Sequence, residues 1–376
     1  MDPRILNLSA KNGYMYFTLS DVNVSIANAI RRVILTDIPI VVFQTFPYEK
    51  NKINIVKNTS RLNNEIIKQR LSCIPIHITD LTIALEDYVV EIKKRNDSDV
   101  VEHVTTEDIM IKNIKTDKYL TESQTRKIFP ANSITKQYID ILRLQPKISE
   151  KINGEEFEMN GTFVISNAKD NSAYNVVSTC AYRNTPDKEG IVAEWKRIET
   201  QLKQKGMEKD EIEMERQNWL LLDGKRIFQK NSFDFTIETI GIYKNNEIVM
   251  KACENIVERL TNIMNDEAGV YYEVNDSETT MENCFDITLK NEDYTIGKII
   301  EYALYEKYFE VGKQLSFVGF QKRHPHDDDS IIRISYKEET DKTVVRNYID
   351  DCCQTLIELY KKIGSAFTIT VDERPF

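Results

Sequence analysis

The stretch from Asn23 to Leu35 reads NVSIANAIRRVIL, and its spacing decides the reading of the whole chain. Ile26, Ile30 and Val33 recur at steps of four and three, which places them on one face of a helix. Asn28, Arg31 and Arg32 fall elsewhere on it. Before the helix, YMYFTLSDV alternates as a strand does. After it, Pro39 disfavours further helix, and IPIVVFQTFPYEK resumes as an extended run.

The same pattern returns much later. Residues 284–305, CFDITLKNEDYTIGKIIEYALY, lie on residues 14–35, YMYFTLSDVNVSIANAIRRVIL, without a gap and at an offset of 270 (284 − 14). Thr18-Leu19 falls on Thr288-Leu289, Ser25-Ile26 on Thr295-Ile296, and Ile30 on Ile300. Strands LSFVGFQ and SIIRISY follow, then a helix with Val345, Ile349, Cys352, Leu356, Leu359 and Ile363 on one face. The front half closes in the same way, with FDFTIETIGIY and then a helix carrying Val249, Ala252, Ile256 and Leu260. Each half thus has a helix face to bury and can bury it against its twin, as an isologous dimer does. The polar run NDEAGVYYEVNDSETTMEN reads as a linker that makes this pairing intramolecular. The expected interface joins Ile26, Ile30 and Val33 to Ile296, Ile300 and Leu304, with Phe317 beside them.

Between the halves, KNTSRLNNEIIKQRLSCIPIHI reads as a helix with Thr59 or Ser60 as its N-cap. Leu62, Ile66, Ile67 and Leu71 form its stripe, and Ser72 to Pro75 end it. Glu65 and Arg70 lie five residues apart, too far round for an ordinary intrahelical pair, which points to separate external partners. Residues 80–180 read mostly as strands. The charge-rich run 188–218 carries a helical stripe at Ile191, Trp195, Ile198 and Leu202, interrupted at Gly206.

Composition bounds the function. A length of 376 residues suggests two or three domains. Sixty acidic against 50 basic residues, a net charge of −10, argue against the chain as a whole binding nucleic acid, because phosphate contacts need a concentrated positive field. Proteins are the expected partners, with no direct sequence-specific nucleic-acid binding. No apolar run approaches the roughly 18 residues of a membrane span, so no membrane association is expected. MDPRILNLSAKNG has no apolar core of a signal peptide, and Asp2 stands where myristoylation needs glycine.

Catalytic chemistry finds little footing. The six cysteines form no CxxC pair and read as buried thiols of a reducing compartment. HPHDDD, residues 324–329, is the one cluster of potential metal ligands. Three consecutive aspartates diverge, so a solvated turn is preferred to a metal centre. No phosphate-binding loop, GxGxxG or GxSxG is present. The expectation is no catalytic residue, no metal and no cofactor.

IANAIRRVILTDIPI, NTSRLNNEIIKQRLSCIPI and VVSTCAYRNTPD together resemble the assembly subunits of cellular RNA polymerases. These are the bacterial alpha amino-terminal domain, the archaeal subunits D and L, and the third and eleventh subunits of eukaryotic polymerase II. LKNEDYTIGKIIEYALY and LSFVGFQKRHPHDDDSIIRISY resemble the smaller, L-type partner.

The resemblance implies an α+β fold in which two related alpha-like dimerisation domains form an intramolecular pseudo-heterodimer. The D-type domain would be residues 1–45 and 229–268, with a mostly β insert at 46–228. A linker at 269–283 and an L-type domain at 284–376 would complete the chain. Such fusions resemble those of large DNA viruses. The implied function is a non-catalytic platform for the two largest polymerase subunits, with smaller subunits joining and no separate L-type partner. Asn28, Arg31, Arg32, Asn58, Thr59, Ser60, Glu65 and Arg70 would face the large subunits, with Arg31 and Arg32 turned outward. Many D-type inserts carry a metal loop; this one has only Cys73 and Cys180, so none is expected here. The implied place of action is intracellular: a viral factory in host cytoplasm, the virion, or a nucleus. Two other readings stand beside it, a free-standing interaction scaffold and a metal-dependent enzyme using HPHDDD.

Overall fold

Asn12 and Gly13 turn the chain through its first hairpin, both with positive φ (56° and 79°), the backbone that a two-residue hairpin loop needs. They join β1 (Arg4–Lys11) to β2 (Tyr14–Ser20), and α1 (Val24–Thr36) follows. The computed structural model describes residues 1–147, 149, 153–266 and 268–368.

The chain continues through β3 (Ile40–Val42), β4 (Ile53–Asn58), α2 (Asn64–Ser72) and β5 (Tyr88–Arg95). Next come β6 (Glu102–Thr105), β7 (Met110–Asn113), β8 (Lys118–Tyr119), α3 (Glu122–Ile128) and β9 (Asp140–Leu144). Then follow β10 (Glu156–Thr162), β11 (Val164–Ser166), β12 (Val177–Pro186), α4 (Lys188–Gln204) and α5 (Lys209–Leu221). The front half closes with β13 (Phe228–Thr239) and α6 (Asn245–Met264). The back half holds β14 (Tyr272–Asp276), β15 (Cys284–Leu289), α7 (Tyr294–Leu304), β16 (Leu315–Gln321), β17 (Ser330–Tyr336) and α8 (Lys342–Ser365). A π-helical segment, Tyr305–Val311, prolongs α7.

The described residues form two compact units. One comprises Met1–Ile34, Thr179–Glu238 and the residues from Asn245 on; the other comprises Leu35–Ser178 with Thr239–Lys244.

The first unit holds two four-stranded sheets, ordered β1-β2-β13-β12 and β14-β15-β17-β16. In the front sheet Phe17 stands opposite Phe235, with the two rings stacked at 4.9 Å. In the back sheet Ile287 stands opposite Ile332, both fully buried. The helical stripes read from spacing are buried: Val249, Ala252, Ile256 and Leu260 on α6, and Val345, Ile349, Cys352, Leu356, Leu359 and Ile363 on α8. Each large aliphatic side chain so buried stabilises the fold by roughly 1.5–3 kcal/mol.

α6 packing on α8 is the principal helix pairing between the halves. The sequence reading set α1 face to face with α7. Their apolar residues Ile26, Ile30, Val33, Ile296, Ile300 and Leu304 are indeed buried, but the close pairing belongs to the longer terminal helices. Phe317 is 40% exposed, and its ring covers Gly319 on its own strand.

The expected insert boundaries also shift. Residues 179–228 belong with the first unit, because β12 adjoins β13 in the front sheet and α4 and α5 connect those two neighbouring strands. Trp195 and Trp219 pack at 5.5 Å between α4 and α5, and Gly206 (φ 79°) makes the break between them, as its place in the stripe predicts. The expected linker contains β14, antiparallel to β15 with Val274 opposite Ile287. Buried Asp266 holds its approach, accepting from the backbone N–H of Val270 (2.8 Å), Tyr271 (2.6 Å) and Tyr272 (2.9 Å). Residues 369–376 of the expected back-half domain lie outside the described residues.

The second unit is mostly β, as residues 80–180 suggest. Its five-stranded sheet runs β4-β10-β5-β7-β8, beside the pairs β11-β3 and β6-β9. Its own core gathers Phe43, Val90, Ile92, Phe157 and Met159.

Candidate functional site

The related helices α1 and α7 of the first unit begin alike. Asn23 Oδ1 accepts from the Ser25 backbone N–H at 2.9 Å, and Asp293 Oδ1 accepts from that of Thr295 at 2.8 Å. Such caps satisfy amides that the first helical turn leaves unpaired. Two residues earlier, Asp21 and Asn291 both take the left-handed backbone (φ 62° and 57°) that Asp and Asn tolerate. All of these positions are related by the offset of 270.

Arg32 reaches across to the second cap. Its Nη2 donates to Asp293 Oδ2 at 2.6 Å, and its Nε to Thr295 Oγ1 at 2.9 Å. The sequence reading turned Arg32 outward; the structure lays it on the back half, because the docked halves bring the Asp293 carboxylate within reach of α1. Burial pushes the Asp293 carboxyl up. The Thr295 N–H and hydroxyl, with Arg32 and Arg259, outweigh it and leave the group below the usual carboxylate range. Arg259 of α6 repeats the theme one residue away, its Nε donating to Glu292 Oε1 at 3.0 Å. Both side chains of that bridge are largely buried, at 19% and 13% exposure. The related position on the back half answers weakly: Tyr302 donates to Glu306 at 3.2 Å and lies beside the Asn23 side chain.

Arg31 has another fate. Its Nε (3.1 Å) and Nη2 (2.9 Å) both donate to Asn28 Oδ1, so the two residues form one half-buried group on α1. The Arg31 charge also acts on Cys180 and Tyr182 of β12.

The second predicted cluster lies in the other unit. Asn58 organises its loop: Nδ2 donates to the Leu62 carbonyl and to Asn64 Oδ1, each at 2.8 Å, and Oδ1 accepts from Ser60 Oγ at 2.7 Å. Thr59 Oγ1 accepts from the Glu156 backbone N–H at 2.8 Å. The N-cap of α2 is therefore Asn63, whose side chain accepts from the Ile66 N–H at 2.9 Å, and not Thr59 or Ser60. Arg70 has an internal partner, the Asp140 carbonyl at 2.7 Å, which corrects the expectation of an external one. Glu65 is exposed in the first turn of α2, where negative charge suits the helix dipole. Spacing missed two exposed apolar residues here, Val56 on β4 and Ile66 on α2, at 54% and 42%. Ile66 was read into the buried stripe, and only its exposure marks it out.

HPHDDD closes on itself. Asp327 Oδ2 accepts from the His324 N–H at 3.0 Å, and Asp329 Oδ1 from the Asn291 N–H at 2.9 Å. Among the described residues no group of three or more His, Cys, Asp or Glu could hold a metal ion, and no helix is long and apolar enough to cross a membrane.

A family model, the RNA polymerase Rpb3/Rpb11 dimerisation domain, matches residues 16–260. Among curated proteins, the DNA-directed RNA polymerase subunit Rpo3 of Methanosphaera stadtmanae is 24% identical over 280 residues, which cover 66% of this chain and 93% of that one. Subunit 3B of the DNA-directed RNA polymerases IV and V of Arabidopsis thaliana is 39% identical over 74 residues, covering 20% of this chain and 21% of that one. Subunit 3 of polymerases II, IV and V from the same plant is 36% identical over 74 residues, with the same coverage.

Proposed function

We propose that this chain, which belongs to the RNA polymerase Rpb3/Rpb11 dimerisation domain family, is a fused assembly subunit of a multisubunit DNA-directed RNA polymerase. Its front half with the mostly β unit acts as the D-type partner, and the back half as the L-type partner. The pair is an intramolecular pseudo-heterodimer and needs no separate L-type subunit. The observation that supports this best is the repeated cap at an offset of 270, with each cap reached by the related residue of the opposite half, Arg32 at Asp293 and Tyr302 at Asn23. A duplication folded back on itself produces that reciprocity; an unrelated fusion has no reason to.

The subunit is non-catalytic. It holds the two largest subunits in place, and the carboxylates that bind magnesium for polymerisation belong to one of those. Asn28 with Arg31 on α1, and the Asn58–Ser60 loop with Glu65 on α2, face the large chains. Arg31 carries the clearest role, since a guanidinium held by Asn28 keeps donors to spare for a partner's carboxylates or carbonyls. The setting is a large DNA virus, with assembly in a cytoplasmic factory and carriage in the particle.

Affinity capture of the tagged full chain from its native source, with partners identified by mass spectrometry, tests the reading. Two very large chains at near-equal stoichiometry and no separate L-type subunit are expected. Arg31→Glu lowers their recovery at least severalfold without moving the melting curve. Capture of the chain alone, or with unrelated proteins, overturns the polymerase reading and leaves an interaction scaffold.

A further inference from the structure

The two reciprocal cap sites are related in position but opposite in chemistry. At one, Arg32 meets Asp293 and Thr295. At the other, Tyr302 meets Asn23, and the Oγ of buried-side Ser25, which stands where Thr295 does, has no hydrogen-bond partner. The neighbouring bridge runs in the same direction, from Arg259 of the front half to Glu292 of the back half. Along α6 and α8 the buried positions coincide at an offset of 100, Val249 with Ile349, Ile256 with Leu356 and Ile263 with Ile363. That offset sets Arg259 against Leu359, and the offset of 270 sets Glu292 against Val22; both of these apolar residues are buried. In these two half-buried or buried bridges the cation comes from the front half and the carboxylate from the back half; the exposed Lys362–Asp2 pair runs the other way.

We infer that this segregation is a pairing code: it makes the front half accept a partner with carboxylates at its helix cap and refuse a second copy of itself. The inference rests on the fused-pair reading above. A front-to-front pair would set Arg32 against the Asn23 amide and Arg259 against Val22, twice each. The Asn23 oxygen and the Ser25 hydroxyl could still accept hydrogen bonds, but both are neutral, so the half-buried charges would face no carboxylate. A back-to-back pair would leave Asp293 and Glu292 facing a hydroxyl and Leu359, with no cation. Only front-to-back pairing neutralises both faces, which is discrimination by an unpaired charge in the wrong complex.

All four pairings can be written into the intact chain, so no isolated half is needed. D293N/Y302R gives both cap sites the content of a front-to-front pair. N23D/R32Y gives both the content of a back-to-back pair. The quadruple variant N23D/R32Y/D293N/Y302R moves the bridge to the other side of the pseudo-twofold axis, where Ser25 offers its free hydroxyl. Thermal melting of the purified chain is the readout. Each double variant is expected to melt about 3–8 °C below the native chain, and the quadruple variant within about 2 °C of it. Mere loss of local packing predicts the quadruple variant to be the least stable, so a midpoint at or below that of the doubles overturns the code. If a double variant does not fold, R32Q, D293N and their combination are compared in urea, where absence of coupling between the two changes overturns it equally. Neither result depends on polymerase subunits, so the capture experiment fails or succeeds separately.

Discussion

Gly364 of α8 lies directly on Cys253 of α6: a Cβ added to the glycine would stand 3.3 Å from the cysteine Cβ and 3.9 Å from its sulfur. The missing side chain lets the two terminal helices come close where they matter most for joining the halves. One turn earlier Tyr360 is fully buried, with its hydroxyl 3.4 Å from the Ile26 carbonyl of α1. Gly364→Val therefore forces the helices apart and costs about 1–3 kcal/mol. Gly364→Ala costs less, because alanine's better helix propensity offsets part of the crowding. Urea unfolding of the two variants gives the order directly; a valine variant as stable as the native chain would disprove the tight approach.

Gly297 makes a second test of close packing. A Cβ there would run into the ring of Phe320, which packs on Tyr294 at 5.1 Å. The related position in the front half is Ala27, fully buried, so a methyl group is tolerated on that side. Gly297→Ala should lower stability by about 1–3 kcal/mol. Phe320→Leu in the same chain should recover part of the loss, and the double-mutant coupling measures it.

The thiols separate by burial. Cys73 is exposed and the other five are buried. Burial pushes Cys253 and Cys352 up to about 12, and it does the same for Cys180 despite the nearby Arg31 charge. A thiolate-specific reagent should titrate about one group per native chain and all six in denaturant, with Cys73→Ser abolishing the native signal. Rapid labelling of Cys253, Cys352 or Cys353 in the native chain would contradict the buried α6–α8 contact.

His77, in the mostly β unit, gives a pH dependence of known sign. Burial holds its imidazole below the usual histidine range. The unfolded chain then takes up the proton first, so this unit loses stability as pH falls below about 6.5, and the loss ends only once the folded form is protonated too. Melting midpoints between pH 7.5 and 5.5 should fall, and His77→Gln should flatten that slope. An equal slope in the variant would assign the effect to other groups.

Legibility differed by the range of the interaction. The helix stripes on α6 and α8, the break at Gly206 and the repeat at an offset of 270 were readable, because period and spacing are local properties. The Asn12-Gly13 hairpin could have been read from the pair itself and was not. β14 was lost to a polar stretch, since only Tyr272 and Val274 of its five residues point inward. The unit boundaries were misplaced because β12 pairs with β13 across the intervening α4 and α5, a sheet pairing that local pattern does not reveal.

The sequence by itself determined which residues could share a helix face and where a helix could start and stop. It also set the two halves as variations of one pattern. Only the tertiary structure decided what Arg32 does. Its partner Asp293 lies 261 residues away, and local pattern leaves a polar position on a helix free to meet solvent, another protein or the same chain. The docking of the two halves selects among these, because a half-buried guanidinium is stable only where a carboxylate and a hydroxyl are already fixed to receive it.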